Sequence, residues 1–302
     1  MEYGKFQLLK HNKTTLLLVF IDILIIMLCN SCVSLQKVPS IDFFTLFNEN
    51  SDIYIYAPIK DNKVLLTEFL EKTLILENSQ KKEKLIQQFF DRAQEIYIAS
   101  TFADQQTNSF EGIIKGNFPY LTPSFAFTEK NGFSKIKIDY CDGNTYTFWN
   151  NDISDIQVAF PYSGFILATT KSVVTMQEKL LKNETLSTST ITKKLDIEQN
   201  SSVIKLFIPS PGKLIPQILG ANAIELAIKD AIIVLAPIKN NSMVYNMSIK
   251  LEMPSKQSQT VGLILLQLIA NTKHFTFKKI DENNILISDY FISVKDITKI
   301  LN

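Results

Sequence analysis

Histidine, glycine and cysteine are all scarce in this chain. Its 302 residues hold two histidines, nine glycines, three cysteines and one tryptophan. The histidines, His11 and His274, are far apart in sequence and neither belongs to a ligand-spaced motif. No metal site and no cofactor is therefore expected. There is no G-x-G-x-x-G and no Walker-type run, which removes the phosphate-cradling loops. A G-x-S-x-G elbow is also missing, so no hydroxyl sits in the strained turn that activates a serine nucleophile. Charge of one sign is lacking as well: 31 basic residues face 30 acidic ones. Nucleic acid, whose binding rests on clustered positive charge, is excluded as a partner. Long hydrophobic runs are absent too. The longest run, Leu16 to Cys29, is apolar except for Asp22. It is too short for the about 20 residues of a spanning helix, and its carboxylate would penalise insertion.

What that run does fit is an export signal. Lys5, Lys10 and Lys13 precede it, giving a basic n-region followed by an apolar h-region. Next comes Leu28-Cys29-Asn30-Ser31-Cys32. This stretch resembles the lipobox of bacterial lipoproteins, in the looser form found in spirochaetes; Cys29 and Asn30 stand where aliphatic and small residues are usual. The resemblance implies that residues 1–31 are a signal peptide and that Cys32 is the lipidated (palmitate-bearing) mature N-terminus. Ser31 supplies the small side chain that the peptidase subsite takes, whereas the rival Cys29 follows the bulky Leu28. The alternatives are an uncleaved N-terminal anchor or an ordinary signal peptide. All of these place the body outside the cytoplasm, in the cell envelope at the periplasmic face or the cell surface. By its motifs the body itself resembles no family.

Cleavage before Cys32 would leave 28 basic and 28 acidic residues. A neutral mature chain has no polybasic patch to hold an anionic membrane, so the acyl chain must do the anchoring. Cys141 would then be the lone remaining thiol, unable to form an internal bridge. The body is rich in phenylalanine, with 21, and about 270 residues suffice for a substantial core.

Residues 32–40 read as a tether. The strand 52–57 closes at Pro58, which cannot donate to a ladder. Apolar stripes then predict helices over 63–76 and 80–94. Short β-rich segments follow at 95–100, 110–116, 124–128, 134–140, 145–149, 156–160 and 164–169, and a helix over 170–181. Asp142-Gly143 predicts the tight turn between 134–140 and 145–149. Residues 183–200, polar and rich in Ser and Thr, read as a linker. Beyond it the order recurs: 203–209 echoes 53–58, 230–235 echoes 94–99, and 245–254 echoes 110–119. Ser293-Val294 opens a closing helix, as Ser172-Val173 does earlier. The expected architecture is α+β with two related halves, 41–182 and 201–302, each a mainly antiparallel sheet packed by helices. A long apolar helix over 257–272 has no counterpart in the first half.

Few residues stand out for chemistry. His274 reads as a surface or capping residue. Asp139 and Asp142 flank Cys141 and would keep its thiol protonated. Asp139, Asp142, Asp152 and Asp155 form a loose acidic group without the regular spacing of a calcium loop. Phe118-Pro119-Tyr120 and Phe160-Pro161-Tyr162 each end a strand; with Trp149 they form either a core edge or an exposed aromatic surface, and the core edge is favoured. No pair of acids facing each other across a cleft is expected. No catalytic residue emerges. The reading is a membrane-anchored lipoprotein whose exported domain is a non-catalytic binding or structural module for a protein or apolar ligand. The alternatives are an envelope hydrolase using carboxylates, for instance on glycans, or a carrier of lipid.

Overall fold

The computed structural model describes residues 41–48, 50–73, 79–101, 109–118, 127, 129, 132–139, 143, 145–151, 155–181, 188–197, 202–212, 215, 218–219, 226–273 and 275–301. The anchor segment, Cys32, the tether, Tyr120, Cys141, Asp142, Asp152 and His274 lie outside them. Among the described residues there are twelve strands, six α-helices and one 3-10 helix. The strand pairs described below are antiparallel, and the fold class is α+β, as expected. The chain divides into two compact units. One takes the chain to Asn50 and Leu66–Ser189; the other takes Ser51–Leu65 and Thr190–Asn302.

In the first unit, β2 (Ala93–Thr101), β3 (Ser109–Gly116), β4 (Phe133–Asp139), β5 (Thr145–Asn151), β6 (Ile156–Ala159) and β7 (Phe165–Thr169) lie in the order β2-β3-β7-β6-β5-β4. The fully buried run of β7 marks it as central, and the alternation along β4 marks a strand at the margin. Gly116 lets β3 close against the start of β2: a Cβ there would sit 2.2 Å from the Arg92 carbonyl oxygen. Helices α2 (Ser79–Arg92) and α3 (Val173–Leu181) belong to this unit. The α3 helix opens where the Gln157 side chain accepts from the Val173 amide at 3.0 Å. The 3-10 helix Phe43–Leu46 buries Phe43, Phe44 and Leu46. Asp42 caps its start by accepting from the Phe44 amide. Lys179 of α3 donates to the carbonyls of Thr45, Leu46 and Phe47, the groups that a helix end leaves without partners.

In the second unit, β1 (Ile53–Pro58), β8 (Ile204–Ile208), β9 (Asp230–Ile238), β10 (Asn241–Glu252), β11 (Thr276–Lys279) and β12 (Asn284–Ser293) lie in the order β11-β12-β10-β9-β8-β1. Here β1 pairs with β8, Tyr54 opposite Phe207, so a strand early in the chain is completed by one that follows the Ser/Thr-rich segment. That segment contains a helix, α4 (Thr190–Leu195), where sequence reading places only a linker. A bulge near Asp289, which adopts φ 58°, shifts the register between β10 and β12. The long helix α5 (Lys256–Lys273) packs on β11 and β12. The short α6 (Val294–Leu301) follows β12 behind a serine N-cap: Ser293 Oγ accepts from the Asp296 amide and donates to the Asp296 carboxylate at 2.6 Å. Helix α1 (Lys63–Thr73) follows β1.

Candidate functional site

The residues singled out in sequence divide into those that enter the core and those that stay apart. Phe118, Trp149 and Phe160 are buried, joined by Phe127 and Phe133. The rings of Phe127, Phe133, Trp149 and Phe160 meet at 4.6 to 5.9 Å, mostly edge to face, as quadrupoles prefer. They plug one part of the first unit rather than present a surface to a ligand. Tyr162 is half-buried, 6.1 Å from Phe165. Asp139 is exposed and accepts from the Thr145 hydroxyl across the β4–β5 pair, at 2.6 Å. Asp155 is exposed in a left-handed turn, φ 53°. Among the described residues no group of three or more His, Cys, Asp or Glu gathers as metal ligands would.

Two features that no linear motif announces lie in the second unit. The first is the outer face of α5. Its start is built by Ser255, whose hydroxyl accepts from the Ser258 amide, and by Gln259, buried and donating to the carbonyls of Asp281 and Asn284. Gln259, Gly262, Leu266 and Ile269 form the inward stripe. Gly262 permits close seating, since a Cβ there would meet the tip of Met253 at 2.8 Å and Ile285 at 3.4 Å. An amphipathic surface helix would then carry charge outward. Instead Val261, Ile264 and Leu268 point to solvent, exposed by 51%, 62% and 60%. At 100° per residue they fall within an arc of about 60° and span about 10 Å. Between Lys256 and Lys273 the helix holds no charged residue at all. Ile280, Phe291 and Met243 of the same unit are exposed too.

The second feature is a closed ionic cluster. Asp230 and Glu252 are register partners at the ends of β9 and β10, so two carboxylates face each other across one strand spacing. In sequence 22 positions separate these two acids, and only the pairing register brings them together. Lys194 of α4 donates to both, at 2.8 Å and 2.7 Å, and Lys229 reaches the other Glu252 oxygen at 2.5 Å. Hydrogen bonds from Lys194 and Lys229 hold the Glu252 carboxyl down at about 2. Burial pushes Asp230 up, against the pull of Lys194. Burial also pulls the Lys194 ammonium down, but its bonds to Asp230 and Glu252 outweigh that and leave it above the usual range. Lys194 also stands 6.0 Å over the Phe207 ring.

Among the described residues no helix is long and apolar enough to cross a membrane. Comparison with known proteins corrects the expectation that the body matches no family. The family described as outer membrane-associated lipoprotein TP0453 matches residues 39–298. A curated relative, the outer membrane protein TP0453 of Treponema pallidum (strain Nichols), is 20% identical over 215 residues, 70% of this chain and 70% of that protein. Two crystal forms of TP0453 share the fold, at 18% identity. Crystal form I has a TM-score of 0.65 over 88% of this chain and 98% of that one; form III has 0.63 over 89% and 98%. With the match running from residue 39 into the last helix, this chain belongs to the TP0453 family of outer membrane-associated lipoproteins of the cell envelope.

Proposed function

We propose that the protein is held in the envelope by an acyl chain on Cys32 and that its body, without catalysis, lays the outer stripe of α5 on a lipid surface. The observation that carries this reading is the uncharged stretch of α5 between Lys256 and Lys273, with Val261, Ile264 and Leu268 turned to solvent. Half-exposed aliphatic side chains of this kind each gain on the order of 1 kcal/mol on leaving water. The membrane association of the family supplies the apolar surface that would cover them. The full chain carrying Cys32→Ser tests it by equilibrium partition onto neutral phosphatidylcholine vesicles at about 10 mM accessible lipid, a concentration matched to the millimolar affinity of so small a stripe. Partition should be the same at low and at high salt, because the stripe carries no charge. Replacing Val261, Ile264 and Leu268 together by serine should lower it severalfold while the melting temperature holds. Partition unchanged by those replacements would reject the reading.

A second reading, an envelope hydrolase, rests on Asp230 and Glu252, whose carboxyls are pushed in opposite directions as acid–base chemistry requires. The two lysines already occupying these oxygens favour a structural role for the pair. Glycan hydrolysis lost equally in Asp230→Asn and Glu252→Gln would restore the hydrolase.

We also infer that the body arose by duplication. Support comes from matching order: β2, β3 and β7 are neighbours in one unit, and β9, β10 and β12 in the other. Each set ends in a helix that begins at a fully buried valine, Val173 or Val294. Superposing the two sets should bring these valines together with α3 and α6 on the same sheet face. Closing helices on opposite faces would refute common descent.

A further inference from the structure

We infer that Lys194, Asp230 and Glu252 form a clasp that keeps α4 on the sheet of the second unit and yields to competing ions. The argument starts with α4 itself. Its six residues, Thr190–Leu195, are far below the length at which a helix is stable alone, so packing and ionic contacts must hold it. Leu195 is its buried residue; Thr190 and Lys193 face solvent. The apolar grip is therefore narrow.

On the sheet side the demand for a cation is built in. Asp230 and Glu252 oppose each other in register, and like charges placed so destabilise a strand pair. Lys229, before β9, reaches only Glu252, and its side chain is largely exposed. Lys194 is the group that bonds to both acids, and it comes from α4. Lys205 of β8 adds a bond to the Asp196 carbonyl just after α4. The pairing of β9 with β8 and β10 runs the length of these strands and does not involve α4. The strands can thus persist when the strap departs. Departure would uncover the Phe207 ring beneath Lys194 and leave Asp230 and Glu252 with Lys229 alone, on Glu252, so that solvent cations neutralise the rest of the charge.

Hydrogen exchange by mass spectrometry on the full-length protein in detergent tests the clasp, at ionic strengths of about 0.01 M and about 1 M, where screening lengths are about 30 Å and 3 Å. Amides of residues 190–196 should exchange about tenfold faster at high salt, while those of β9 and β10 keep their rates. Lys194→Met should exchange at the fast rate under both conditions, and Glu252→Gln should shift the same way if the methionine variant fails to fold. Equal protection of α4 at both ionic strengths, or unchanged protection in Lys194→Met, overturns the clasp. So does exchange that rises equally across β9 and β10, because the lysine would then hold the whole unit and not α4.

Discussion

Gly116 shows how much one missing methyl group can decide. A Cβ at this position would fall inside the contact distance of the Arg92 carbonyl and the Ala93 Cα, both backbone atoms. Backbone cannot swing aside as the end of a side chain can. Gly116→Ala should therefore destabilise the protein by about 3 kcal/mol, the upper part of the range for overpacking, as read by chemical denaturation. The acids of the ionic cluster make a second prediction at this scale. Glu252 is held well below its ordinary 4.5, so its ionised form stabilises the fold above that pH, and this stability is lost as pH falls toward about 2. Asp230 is raised, so its ionisation works against the fold and any stabilisation by its protonated form fades as pH rises. At neutral pH, Glu252→Gln should cost about 1–2 kcal/mol, discounted for the exposure of Lys229, and Asp230→Asn less. The reverse order would show that Asp230 is the main partner of Lys194.

At the scale of elements, α5 offers two faces with opposite expectations. Leu266 is fully buried, and Leu266→Ala should cost about 2–5 kcal/mol. Ile264→Ala, on the outer stripe, should leave thermal stability within about 0.5 kcal/mol. These faces were not legible in the sequence, since the aliphatic residues between Val261 and Ala270 fall on every side of the helix and give no period from which to tell inside from outside. The strands were legible where alternation was strong, as in Phe133–Asp139 against Thr145–Asn151, with its Gly143 turn at φ 81°. The α4 helix was missed because T-I-T-K-K-L carries one buried side chain, too few to make a stripe. The partner of β1 could not be read either: its pairing with β8 crosses about 150 residues, and local pattern holds no record of so distant a neighbour. For the same reason Asp230 and Glu252 appear as unrelated acids until the register brings them face to face.

For the whole molecule the central prediction concerns attachment. Labelling with a fatty-acid analogue should be lost in Cys32→Ser and kept in Cys29→Ser. Undiminished labelling of Cys32→Ser, or loss confined to Cys29→Ser, would move the lipid site. The outward stripe of α5 bears on how firmly the protein is then held. Three partly exposed aliphatic side chains are together worth about 3 kcal/mol on a bilayer, a millimolar affinity with no hold of its own. One acyl chain alone gives similarly reversible adhesion, near 10⁴ per molar for a myristoyl group. Carried on one polypeptide, the two act in series: once the acyl chain is in, the helix samples the surface at an effective concentration on the order of millimolar. Residence then depends on the product of two weak contacts, and serine at Val261, Ile264 and Leu268 should shorten the dwell time of the acylated protein without changing how often it lands.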